Sequence, residues 1–265
     1  ANCGELGRKC DKFSPCCSGG YCDSKLRFCA VNCDPENSYS AKSCFPRPGC
    51  VNFETNFGDA KKMTTLENYD GNYQKYELYS DFQPNNAHIN GNGELQLDMK
   101  LGTQKNKEGN YEGFGATVTW TRFMQYGRAT VEMKSASLSP GVVSSFITKS
   151  PEGDEIDFEW VGKDPEEVQS NFYYNNELDY TKGAHHQVGA DTSKTYNRYT
   201  IQWSPDEIAW LINDKVVRTA KRADTKQADG SYKFPNKMSR IQLSIWDGGM
   251  GAEGTAKWAG TPTRW

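Results

Sequence analysis

Gly153-Asp154-Glu155-Ile156-Asp157-Phe158-Glu159-Trp160 places three carboxylates at strict two-residue spacing, with an apolar side chain in each gap. Residues i, i+2 and i+4 of a β-strand share one face. Glu155, Asp157 and Glu159 therefore form a row, while Ile156, Phe158 and Trp160 face a core. Three like charges in line repel, so the row is not there for strand stability. A solvated acidic strand edge would account for the alternation alone; the flanking Gly-Asp and Trp favour catalysis. Glycoside hydrolysis needs two carboxyl groups flanking the scissile bond, one as nucleophile or base and one as acid. On an extended strand the Cα atoms of Glu155 and Glu159 lie about 13 Å apart. Two long side chains leaning together on a strand bent toward the sugar close most of that gap, and the shorter Asp157 leaves room between them. A carboxyl separation of roughly 5 Å is the retaining geometry, with a covalent glycosyl-enzyme intermediate. Crowding also divides the protons, one carboxyl ionised and a neighbour protonated. The spacing leaves open which Glu plays which part.

The row resembles the signature of glycoside hydrolase family 16, in the form with one residue between the Asp and the second Glu. The resemblance implies that Glu155 is the nucleophile, Glu159 the general acid/base and Asp157 the auxiliary carboxylate that orients the nucleophile.

The 265 residues carry a formal net charge of −3, with Lys and Arg scattered rather than gathered in a basic patch, which argues against a nucleic-acid partner. No apolar run approaches the ~20 residues of a membrane span. Neither a signal peptide nor a hydrophobic tail is visible, so the sequence reads as a mature or trimmed chain.

All nine cysteines lie between Cys3 and Cys50. Such density in a short segment reads as a disulfide scaffold made in an oxidising compartment. Adjacent Cys16 and Cys17, no Cys-x-x-Cys pair and no nearby His fit bridges better than a zinc site, so no metal and no cofactor are expected. Nine is odd, which leaves one thiol free, paired between chains, or buried.

Cys3-Gly4, Cys10, Cys16-Cys17-Ser18, Tyr21-Cys22 and Phe28-Cys29 resemble a hevein-like chitin-binding module of carbohydrate-binding family 18. That resemblance implies the pairs Cys3–Cys17, Cys10–Cys22 and Cys16–Cys29, with Ser18, Tyr21 and Phe28 at positions that hold N-acetylglucosamine. Only Gly19 and Gly20 separate Ser18 from Tyr21, one residue fewer than usual, so the first aromatic platform is missing. A stapled domain with a vestigial surface fits as well as a chitin binder. Residues 32–50, with Cys33, Cys44 and Cys50, read as a stapled linker after a module at 1–31.

Residues 51–265 read as β throughout. Glu94 to Leu101 alternates through Leu95, Leu97, Met99 and Leu101, and Gly127 to Lys134 through Ala129, Val131 and Met133. Strands are also expected at 199–203, at 207–212, at 215–218 after an Asn213-Asp214 turn, and at 240–246. With no long 3.6-residue period, the fold class is all-β, a jelly-roll β-sandwich whose concave sheet carries a substrate cleft. Family 16 has that fold.

Gln169, Asn171 and Tyr173 alternate just after the acidic row and resemble a polar segment of the family that faces the cleft. Trp246, ending a strand beside a Gly turn, matches a sugar-stacking Trp of the family, and Trp258 follows a similar loop logic. Arg122 and Tyr126 belong to another stretch near the cleft in relatives. Trp203 and Trp210 are expected in the core, and His88, His185 and His186 in solvated loops.

The whole combination resembles the fungal Crh-type cell-wall transglycosylases. It implies cleavage of chitin and transfer of the new end to chitin or β-glucan at the cell wall or cell surface, by a secreted monomer that is usually held by a glycolipid (GPI) anchor. Another family 16 β-glucanase, a xyloglucan-type transferase, or a non-catalytic wall carbohydrate-binding protein are the alternatives.

Overall fold

The computed structural model describes residues 2–136 and 139–265. In chain order its strands begin with β1 (Cys16–Ser18) and β2 (Tyr21–Asp23) in the cystine-rich segment. There follow β3 (Met63–Thr65), β4 (Leu78–Phe82), β5 (Ala87–Ile89), β6 (Leu95–Leu97), β7 (Lys100–Lys105), β8 (Tyr111–Phe114) and β9 (Ala116–Met124). Next come β10 (Gly127–Met133), β11 (Val142–Lys149), β12 (Glu155–Val161), β13 (Glu167–Tyr173) and β14 (Ala184–Gln187). The last are β15 (Asn197–Trp203), β16 (Glu207–Ile212), β17 (Lys215–Lys221) and β18 (Ser239–Asp247). Two short helices, α1 (Leu26–Ala30) and α2 (Glu253–Ala259), lie near the ends of the chain.

An eight-stranded sheet in the order β14-β13-β12-β11-β18-β9-β4-β3 packs on a four-stranded sheet in the order β10-β15-β16-β17. Alternation within each strand explains the sandwich. Ile156, Phe158 and Trp160 of β12 turn inward and meet Tyr199, Ile201, Trp203, Ile208 and Trp210 of the smaller sheet. Trp160 and Tyr199 meet edge to face at 4.6 Å between ring centroids. Trp203 and Trp210 are buried core residues, as their strands imply. The β16–β17 hairpin turns through Asn213 and Asp214, both at positive φ (49° and 66°), the geometry that favours Asn and Asp in two-residue turns.

Three expectations are corrected. The alternating run from Glu94 to Leu101 is not one strand: it breaks between β6 and β7, and Leu101 is exposed, because Leu95, Leu97 and Met99 already fill the side cluster around Trp120. None of the three histidines lies in a loop: His88 is on β5, and His185 and His186 are on β14, paired in register with Gln169 and Val168. Trp258 sits on helix α2 rather than a loop.

Four cystines staple the N-terminal segment: Cys3–Cys17, Cys10–Cys22, Cys16–Cys29 and Cys33–Cys44. Cys50 is free and exposed. Among the described residues no helix is long and apolar enough to cross a membrane.

The start of β12 is pinned by Asp154, which is 1% exposed. Its carboxylate accepts from the backbone N–H groups of Asn175 (3.0 Å), Asn236 (2.8 Å) and Lys237 (3.0 Å). Gly153 before it holds φ at 96°, and a Cβ there would lie 2.2 Å from the Asn176 side chain, so glycine is required. Asp154→Ala is expected to lower the unfolding free energy by about 3 kcal/mol, since three backbone N–H groups lose the buried carboxylate that accepts from them. Urea denaturation checks this as a lower midpoint at unchanged slope.

Candidate active site

The inward packing of Ile156, Phe158 and Trp160 forces Glu155, Asp157 and Glu159 onto the opposite, concave face of the large sheet. Cross-strand register then builds the site. Tyr173, Asn171 and Gln169 of β13 stand directly opposite Glu155, Asp157 and Glu159. On the other flank, Lys149, Ile147 and Ser145 of β11 occupy the same three levels. Beyond them lie Arg240, Gln242 and Ser244 of β18. Ser145 and Ser244 share a hydrogen bond across the two strands.

The three carboxyls sit in different surroundings. The Lys149 Nζ pairs with the Glu155 carboxylate at 3.2 Å, and that glutamate remains partly exposed. Asp157 is 1% exposed, and neither of its carboxyl oxygens has a hydrogen-bond donor among the described residues. Burial, then the charges of Glu155 and Glu159, push Asp157 well above the usual carboxylate range. These causes favour the neutral form of Asp157, next to Glu155 in the row. Burial, and then the Glu155 charge, push Glu159 up to about 8. The Tyr173 hydroxyl is also raised, by burial first and then by the charges of Asp157 and Glu159. The indole N–H of Trp210 donates to the Asp157 carbonyl at 3.0 Å, tying the middle of the row to the second sheet.

Aromatic surface flanks the Glu159 end. Trp246 and Trp258 stack at 6.0 Å with 29° between their planes, and the Trp258 Nε1 donates to the Gln169 Oε1 at 2.8 Å. Helix α2 reaches this place by packing Ala259 on Val143 and Val161. Asn171 donates to the Tyr173 hydroxyl at 3.1 Å. Gln169, Asn171, Tyr173, Trp246 and Trp258 are thus gathered around the row.

Arg122 and Tyr126 are not. The Arg122 guanidinium lies over the Tyr73 ring at 5.0 Å and donates to the Gly49 carbonyl. Tyr126 packs edge to face on Trp203 at 4.9 Å, between the sheets. There it lines a cavity of about 1210 Å³, together with Trp120, Met124, Phe146, Leu243 and Ile245, that contains none of the three carboxylates. Lys149, not named from the sequence, and His185, expected in a loop, do join the site. Lys149 pairs with Glu155, and His185 lies opposite Gln169 with its Nδ1 3.0 Å from Glu167. The signal for Lys149 was positional, because a β11–β12 hairpin around Gly153 sets Lys149 opposite Glu155.

In the cystine-rich segment, the Ser18 hydroxyl donates to the Val31 carbonyl at 2.7 Å. Phe28 is half-buried against Cys16, Cys29 and Phe45. Of the three positions, Tyr21 alone is exposed.

Comparison with known proteins gives the same picture. The family model for glycosyl hydrolases family 16 matches residues 73–264. The chain is 34% identical over 270 residues to Crh-like protein 3 of Botryotinia fuckeliana, covering 98% of this chain and 56% of that protein. It spans about half the length of the curated relatives it matches most strongly. A solved Crh5 transglycosylase in complex with NAG superposes with a TM-score of 0.59 at 28% identity, over 71% of this chain and 76% of that one. A prokaryotic beta-1,3-1,4-glucanase (lichenase) derived from a mouse hindgut metagenome superposes with a TM-score of 0.55, also at 28% identity, over 67% and 75%.

The site electrostatics make a direct prediction. A carbon-13 NMR titration of the Glu159 carboxyl is expected to give a midpoint near 8. Glu155→Gln should move that midpoint downward, because it deletes one of the two causes that raise it. An unmoved midpoint would show that the two carboxyls do not interact.

Proposed function

The chain belongs to glycosyl hydrolases family 16, and from that premise we propose that it is a retaining transglycosylase of the fungal cell wall. In this reading it cleaves chitin and passes the new end to chitin or β-glucan. The observation that carries the reading is the row itself: three carboxyls on one concave face, one paired with a cation and one holding its proton to about pH 8. Those are the two states that a nucleophile and an acid require.

The Glu155 carboxylate attacks the anomeric carbon while Glu159 donates its proton to the departing glycosidic oxygen. The C–O bond breaks, the leaving chain departs with that proton, and a glycosyl ester forms on Glu155. Asp157, buried beneath and between them, places its proton toward Glu155 and sets the nucleophile's orientation. Glu159, now a carboxylate, takes a proton from an incoming hydroxyl, whose oxygen displaces Glu155 and restores the β-linkage. Water is always present, so a sugar hydroxyl wins only if it is held in line. The stacked Trp246–Trp258 pair and the Gln169 side chain it fixes are suited to that grip. Chitin as donor is supported by the similarity to a transglycosylase solved with NAG. Secretion to the wall is supported by four cystines, which need an oxidising compartment. Hevein-like ancestry of residues 1–31 fits the three intramodule bridges. The half-buried Phe28 and the internally bonded Ser18 give that module a weakened sugar surface.

Glu155→Gln is expected to abolish turnover with the fold intact, because an amide forms no glycosyl ester. Glu159→Gln should be inactive toward ordinary sugar leaving groups, yet still form the intermediate from a donor whose leaving group needs no proton. If Glu155→Gln were the variant spared by such donors, the two roles would exchange. Because Glu159 must be protonated to act as acid, the rate should fall as pH rises through about 8. A time course with chitin donor and labelled acceptor should yield lengthened, labelled, β-linked products. Short unlabelled products alone at saturating acceptor would make the chain a hydrolase.

A further inference from the structure

The cystine-rich segment is not a bead on a tether. Ala30, Val31 and Phe45 pack with Leu66, Tyr69 and Tyr79 in one apolar cluster, and Phe45 meets Tyr69 edge to face at 5.8 Å. The chain leaving the segment is tied to β9 by two backbone bonds of 2.7 Å, from Cys50 to the Phe123 carbonyl and from Phe123 to the Pro48 carbonyl. The Arg47 guanidinium lies over the Phe123 ring at 5.9 Å.

Tyr79, Thr119 and Gln242 are cross-strand neighbours, and Gln242 is opposite Ile147, which is opposite Asp157. The segment is therefore docked on the same concave face as the carboxylates. Exposure shows where it stands. Tyr79 (1%), Thr119 (0%), Phe123 (3%) and Arg240 (8%) are covered, whereas Gln242, Ser244, Thr117 and Asp81 keep open surface. From β12 to β9 is three strand spacings, about 14 Å. The covered ground begins where a chain of several sugars leaving the row would run. At its margin the exposed Arg27 of α1 is held by Glu67 at 3.4 Å, with its charge reaching Asp81. Asp81 accepts from Thr119 through one oxygen, while its other oxygen is buried without a partner among the described residues.

We propose that residues 2–50 form one bank of the catalytic cleft, and that Arg27 on this bank and Asp81 on the floor grip sugars distant from the cut. The segment then serves as a specificity element for chain length. This rests on the reading of the concave face as a glycan cleft, but not on which glycan enters it. A guanidinium donates hydrogen bonds and a carboxylate accepts them, and together they suit hydroxyls and acetamido groups, which both accept and donate.

The test measures kcat/KM for disaccharide to hexasaccharide donors in two series, chitooligosaccharides and β-1,3-glucan oligosaccharides. In parallel, calorimetry reads their binding to the inactive Glu155→Gln chain. In whichever series is bound, Arg27→Ala on either background should cut the advantage of hexasaccharide over disaccharide by about tenfold, the worth of one charged hydrogen bond. Phe45→Ala, which loosens the docking, should flatten the length dependence in the same way and speed amide exchange around Tyr79. An unchanged hexasaccharide-to-disaccharide ratio in Arg27→Ala overturns the proposal, even if Phe45→Ala fails to fold. So does an equal loss at every length, which would mark Arg27 as merely structural. Activity or binding confined to the glucan series would instead overturn chitin as donor and leave the bank standing, provided the ratio falls.

Discussion

The site depends on the inward burial of Ile156, Phe158 and Trp160. Each large apolar side chain taken out of water is worth about 2–3 kcal/mol. Neighbouring carboxylates about 7 Å apart repel by about 2 kcal/mol at an effective dielectric near 20. Burial therefore sets the register of β12, and the carboxyls must follow onto the other face. A slip of one residue would reverse both faces at once. The second sheet adds a specific lock, because Trp210 is both core to the sandwich and donor to the Asp157 carbonyl.

Once the carboxyls share a face, protons relieve their repulsion. Asp157 has no donor to stabilise its charge and is wedged between two acids, so its neutral form is favoured. Glu159 follows part of the way, and Lys149 balances Glu155. The unequal roles proposed for three similar side chains come from these unequal surroundings, not from the side chains themselves. Asp154 belongs to the same stretch yet does different work. Its carboxylate accepts three backbone N–H groups and anchors the strand from which the others project.

The cystine-rich segment shows how a motif and its setting can part company. The bridges join cysteines that are close in sequence, so local chain closure is enough to specify a stapled unit. What its surface does depends on what it packs against. Phe28 packs beside Phe45, and Val31 joins Phe45, Tyr69 and Tyr79, which leaves Tyr21 alone exposed among the three positions expected to hold sugar.

Much was legible from the chain. Period-two alternation is a local property, and it determined the all-β class, the acidic row, the core roles of Trp203 and Trp210 and the polar line Gln169, Asn171 and Tyr173. Where the reading failed, the deciding contact was remote. Nothing near Glu94 to Leu101 says that the strand must break, and nothing near Tyr126 says that Trp203 will hold it between the sheets. Arg122 carries the same charge whether it faces a cleft or covers Tyr73. Lys149 and His185 enter the site, and the first fifty residues come to stand on the concave face, only through strand order and register. Alternation states which face a residue occupies, because that follows from its own strand. Which strand lies beside it, and what covers that face, is settled by apolar surfaces far apart in the chain finding one another.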